Sequence, residues 1–148
     1  VFLRSIFFNT NILQTLKNAL KRLKMPKTLN LKYFKIEEFA SPDDLKSSCK
    51  MNKKFLEKLD YARGNAGCKF VINSGFRTIE WNAKIGGRVG SSHTKGLAVD
   101  IHCVDSRNRA LIINALISVG IRRIGIAKTF IHCDVDKDKD QDVIWLYN

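Results

Sequence analysis

Apolar and polar positions follow two rhythms along this chain, and the change of rhythm marks its elements. From Ile12 onward, Ile12, Leu13, Leu16, Ala19, Leu20 and Leu23 fall on one helical face. Asn11 with Gln14 resembles a capping box, and Pro26 supplies the stop. After the turn signal Ser41-Pro42-Asp43-Asp44 a second helix is expected, with Phe55, Leu56, Leu59 and Ala62 inward and Gly64 at its end. Phe70-Val71-Ile72 predicts a short buried strand. Thr78 is expected to cap a brief helix through Trp81 and Ala83 that Gly86-Gly87 closes. Ser106 is expected to cap a longer one carrying Leu111, Ile112, Ala115, Leu116 and Val119, closed by Gly120.

The period-two rhythm appears in two stretches. In residues 97–103, Leu97, Val99, Ile101 and Cys103 point one way while Ala98, Asp100 and His102 point the other. In 130–135, Ile131, Cys133 and Val135 form the apolar face, opposite Phe130, His132 and Asp134. Asp100 sits in the apolar run Leu97-Ala98-Val99-Asp100-Ile101, where an unpaired carboxylate costs several kcal/mol unless a cation or a set of donors compensates it. If the two strands share a sheet with these faces aligned, Asp100 and His132 converge, and the Gly- and Ser-rich loop carrying His93 folds over them. Two imidazoles and one carboxylate with a fourth position left open suit a catalytic zinc site.

Composition adds a partner class. The chain has 148 residues, with 26 Lys plus Arg against 14 Asp plus Glu, a net charge of +12. That charge predicts an anionic partner or surface. Residues 1–32 carry seven basic residues and no acidic one, a basic amphipathic segment that packs on its own domain or touches a membrane or anionic polymer. Nucleic acid has no supporting motif, because aromatic residues are not interleaved with the basic ones. Cys49, Cys68, Cys103 and Cys133 form no CxxC pair and read as reduced, packed thiols, with a disulfide as the alternative for an exported protein. No apolar run reaches transmembrane length, and the apolar start lacks the small-residue cleavage site of a secretory signal.

Asn73-Ser74-Gly75-Phe76-Arg77-Thr78, Asn82, Gly86-Gly87, Ser91-Ser92-His93 with Gly96, Ala98, Asp100 and Ile101, and finally Phe130-Ile131-His132-Cys133-Asp134 resemble the zinc D-alanyl-D-alanine carboxypeptidase family. That family includes phage endolysin peptidases and shares its fold with the hedgehog signalling domain. The resemblance runs from about Phe34 to about Asp136. It implies an α+β fold, a small antiparallel sheet carrying a zinc site and packed against helices, with 1–32 as a helical segment and 33–148 as the peptidase-like domain. It implies zinc ligation by His93, Asp100 and His132, a grip of Arg77 on a carboxylate of the peptide substrate, and for Ser91 either loop orientation or substrate contact. The implied activity is cleavage of a peptidoglycan stem or crossbridge peptide at the bacterial wall, by a monomer. A lysis protein of a phage, delivered by a partner, suits the lack of a clear export signal.

The chain departs from better-known members at the general base. Many bacterial relatives carry Glu or Asp three residues before the last His, where this chain has Thr129; hedgehog domains carry His two before and Glu six before, where it has Phe130 and Ile126. Asp134, two residues beyond His132 on the same face, is the first candidate for the base, with an orienting role for a ligating His as the alternative. His102, in the same relation to Asp100, is the second. The missing base keeps alive a non-catalytic, zinc-stabilised binding module. The acidic stretch from Asp134 to Asp142 imitates a calcium loop but lacks its glycine and closing glutamate, and reads as a solvated turn. Trp145 and Tyr147 are expected to pack rather than bind sugar.

Overall fold

The computed structural model describes residues 29–147; the helix expected from Ile12 to Leu23, and with it most of the segment 1–32, lies outside the described residues. Asn52 opens helix α1 (Lys53–Ala66), its side-chain oxygen accepting the amide hydrogen of Phe55, one of the donors a first turn leaves unpaired. Phe55, Leu56, Leu59 and Ala62 are buried as their spacing requires. The helix continues through Gly64, where an end was expected, to the left-handed cap at Gly67. Thr78 caps helix α2 (Ile79–Lys84) through its Oγ1. Helix α3 (Ser106–Ser118) is capped by Asp105 rather than Ser106, because the Asp105 carboxylate reaches the Asn108 amide.

Five strands follow: β1 (Ile72–Ser74), β2 (Ala98–His102), β3 (Arg123–Ile126), β4 (Phe130–Asp134) and β5 (Val143–Leu146). Their order is β1-β2-β4-β3-β5. The first three pairings are antiparallel, as expected of the sheet, and β5 joins β3 in parallel, so the sheet is mixed. Arg123 pairs with Asp134 on one side and with Val143 on the other at one end of the sheet, so the link 135–142 passes the start of β3 to reach the edge. Strand β1 begins later than the expected Phe70, which lies fully buried ahead of it.

The two alternating stretches behave as their pattern dictates. Val99, Ile101, Cys103, Ile131 and Cys133 join the core with Ile124, α1 and α3, which leaves the opposite face for Asp100 and His132. All four cysteines are free; Cys103 and Cys133 are packed inside, while Cys49 is exposed. The acidic stretch departs from expectation, since Asp134 and Asp136 are each only 1 % exposed. Ser92 Oγ donates to Asp136 at 2.9 Å, Lys95 Nζ reaches the same carboxylate at 3.0 Å, and the Val135 amide donates to Leu97 O. These bonds turn a nominally solvated turn into a strap that fastens the loop 91–97. Among the described residues no helix is long and apolar enough to cross a membrane.

Candidate metal centre

One residue from each strand lines up across the outer face of the sheet. Ser74 pairs with Asp100, Asp100 with His132, His132 with Gly125, and Gly125 with Trp145. Residues directly opposite one another across paired strands share a face, so this transverse row follows from register alone. His93 joins it from the loop 91–97. Its carbonyl accepts the amides of Arg77 and Gly96, each at 3.2 Å. Gly96 has φ of 68°, and a Cβ there would lie 2.2 Å from Lys50 O, so both backbone conformation and space require glycine at the loop's base.

His93, Asp100 and His132 are 3, 7 and 8 % exposed. His93 Nε2 is 3.3 Å from His132 Nδ1 and 3.3 Å from Asp100 Oδ1, and His132 Nδ1 is 2.8 Å from Asp100 Oδ1. Tetrahedral ligands at zinc-like bond lengths stand about 3.3 Å apart, so the triangle is of the size one ion needs. The outer ring nitrogens are also engaged: His93 Nδ1 bonds the Gly75 carbonyl at 2.7 Å and His132 Nε2 bonds Asp134 Oδ2 at 3.0 Å. Each outer N–H donates to an oxygen, which turns the inner nitrogen of each ring toward Asp100. The donor set and its orientation fit a divalent ion such as zinc.

The carboxylate question raised by the apolar run has a direct answer. Arg77 Nη2 donates to Asp100 Oδ2 at 2.7 Å, and Arg77 Nε donates to Ser74 Oγ at 2.8 Å. Burial pushes the Asp100 carboxyl up, but hydrogen bonds from His132 and His93 outweigh it and hold the group well below the ordinary carboxylate range. For His132, burial works against the charged ring, yet the Asp100 and Asp134 carboxylates outweigh it and raise its pKa above the usual value. Two carboxylates flanking one imidazole thus favour a positive charge at its centre, from a proton or from a metal.

Other expected site residues take the following positions. Arg77, 15 % exposed as a side chain, holds Asp100, and its Nη1 has no protein partner among the described residues. Ser91 Oγ accepts the His93 amide at 3.3 Å, and its carbonyl accepts the Thr94 hydroxyl, both contacts within the loop. Asp134 binds His132 through Oδ2, while Oδ1 accepts from Arg123 Nε at 2.8 Å and from the Asp136 amide at 3.0 Å. His102 is exposed at the end of β2, and its ring makes no hydrogen bond to the cluster.

Two features were not visible in the chain's pattern. Arg123 braces Asp134 from β3, and Trp145 and Tyr147 bring their ring centroids 5.6 and 6.4 Å from that of His132. Only an apolar Val143-Ile144-Trp145-Leu146 run signalled β5, and nothing in it signalled a site. No curated protein matches the chain. A family model described as Peptidase M15 matches residues 32–134, a span that contains all three clustered side chains, and the chain belongs to that family, the zinc D-alanyl-D-alanine carboxypeptidase family.

Proposed function

We propose that this peptidase is zinc-dependent and cleaves stem or crossbridge peptides of bacterial peptidoglycan, as a carboxypeptidase or as an endopeptidase. One observation carries the reading: three side chains from separate stretches of chain bring one ligand atom each to 2.8–3.3 Å of the others. His93 Nε2, Asp100 Oδ1 and His132 Nδ1 are the atoms that would hold the ion. Zinc with three protein ligands supplies polarisation of the scissile carbonyl and a water with its pKa lowered to about 7.

The chain's own residues divide the remaining work. Asp134 orients His132 and, buried with both oxygens engaged, is poorly suited to trade protons with substrate. His102, open to solvent and on the same face as Asp100 by strand alternation, is the stronger candidate to take the water proton and return it to the leaving amine. Arg77 retains Nη1 for a substrate carboxylate while Nη2 steadies Asp100. The charge of +12 suits approach to anionic wall polymer.

A metal-stabilised binding module without turnover is the second reading. It is favoured by Thr129, exposed at the position where many relatives carry an acid. Metal analysis and a peptidoglycan digest decide between them. The peptidase reading expects one zinc per chain, lost in His93→Ala, together with chelator-sensitive release of D-alanine or cleaved stem peptides. Zinc with no cleavage of any wall substrate selects the binding module, and a His93→Ala protein that keeps its zinc refutes the ligand set.

A further inference from the structure

Gly125 stands between His132 and Trp145 in the transverse row, and its missing side chain leaves a hollow on the face of the site. Two rings occupy it. A Cβ at Gly125 would come 2.5 Å from Tyr147 Cε2 and 2.7 Å from Trp145 Cε2. Trp145 packs near both His132 and the Arg123 guanidinium, the latter 5.3 Å from its ring centre. Tyr147 rests on Phe130, with ring centroids 5.4 Å apart, and on Trp145, at 6.1 Å. Its amide donates to Ile126 O at 2.9 Å, which extends the β3–β5 pairing past the end of β5 and fixes where the ring falls.

The two aromatic residues differ in what they offer. Trp145 is half-buried and packed, whereas Tyr147 remains 44 % exposed. The Tyr147 ring centroid lies 6.4 Å from that of His132, so the phenol stands beside the cluster. A phenol, with an ordinary pKa of about 10, keeps its proton near neutral pH and is available as a donor. Tyr147 also lies beyond residues 32–134, where the family match ends.

We propose that Tyr147 is a further catalytic residue, its phenol O–H donating to the scissile carbonyl oxygen and holding that oxygen more strongly as negative charge develops on it. The proposal rests on the peptidase reading above. In the overall hydrolysis the water oxygen bonds to the carbonyl carbon and the C–N bond breaks. Both water protons end on the leaving nitrogen, giving a carboxylate and an ammonium. Tyr147 keeps its proton throughout, so its contribution is electrostatic.

The test compares wild type with Tyr147→Phe and Gly125→Ala, the second displacing the ring without touching the hydroxyl. Three readouts are needed: the absorption spectrum of the cobalt-substituted protein, kcat and KM on a soluble stem peptide, and calorimetric affinity for a phosphinate dipeptide, a tetrahedral mimic. Tyr147→Phe is expected to keep the cobalt spectrum and KM, while kcat and phosphinate affinity each fall about 100-fold, the usual loss for one such donor. Gly125→Ala is expected to move kcat and phosphinate affinity in the same direction. A Tyr147→Phe protein within about twofold of wild type in both quantities overturns the assignment while leaving the peptidase reading intact. If wild type cleaves no wall peptide, the peptidase reading falls by itself. The phosphinate then still judges Tyr147, since equal binding by both proteins, or none by either, overturns its role.

Discussion

Asp134 gives one carboxylate oxygen to His132 and the other to Arg123 and the Asp136 amide, an arrangement that fixes the His132 ring and, under the proposed function, leaves Asp134 to orient a ligand rather than to face a substrate. Asp134→Ala is therefore expected to weaken zinc affinity by about 10–100-fold, read by competition with a chromogenic chelator, while His102→Ala leaves affinity unchanged and lowers kcat. The same carboxylates set a pH dependence for the metal-free protein. Asp100 and Asp134 lie below their ordinary 3.8, so the stability they add is complete above that value and is lost as pH falls through the lower folded values. His132 lies above its ordinary 6.5, so its contribution is complete below 6.5 and is lost as pH rises through the higher folded value. The metal-free melting temperature is expected to peak between these limits, by calorimetry at constant ionic strength. A midpoint still climbing well above pH 6.5 would remove the His132 contribution from the account.

At the scale of elements, the loop 91–97 is the part that must be built before His93 can meet the sheet. Gly96→Ala adds about 1–2 kcal/mol of left-handed strain before the clash with Lys50 O is counted. The variant is expected to melt earlier and to purify with less zinc than wild type, whereas Lys95→Ala loosens the strap at Asp136 and Asp138 and changes zinc content little. Strands β2 and β4 were legible because alternation separates Val99 and Ile101 from Asp100, and Ile131 and Cys133 from His132. The Ser91-Ser92-His93 motif, read through the family resemblance, made the third member of the cluster legible as well. Strand β3 was not, since Arg123-Ile124-Gly125-Ile126 is short and its glycine weakens any strand signal. The buried Asp136 was hidden by its setting among Lys137, Asp138, Lys139 and Asp140, which reads as solvated unless Ser92 and Lys95, more than forty residues away, are known to close on it. Pairing of β5 with β3 in parallel is likewise encoded in no local pattern, and so the aromatic pair over Gly125 escaped notice.

For the whole molecule, the charge of +12 acts over distances that individual contacts do not. Under the proposed function, retention on insoluble peptidoglycan bearing anionic polymer should fall steeply as salt rises from 0.05 to 0.5 M, roughly a threefold shortening of the screening length. Cleavage of a small neutral stem peptide should hardly change over the same range. Equal salt sensitivity of the two assays would remove surface charge from substrate capture. The transverse row from Ser74 to Trp145 has a consequence for assembly itself. Its members look outward together only when every strand is paired at its native position, and a slip by one residue would turn Asp100 or His132 toward the helices. Under the proposed function, a refolding mixture supplied with zinc would then be sorted by it, the ion lodging in correctly zipped sheets and passing over chains whose hairpins had closed out of step.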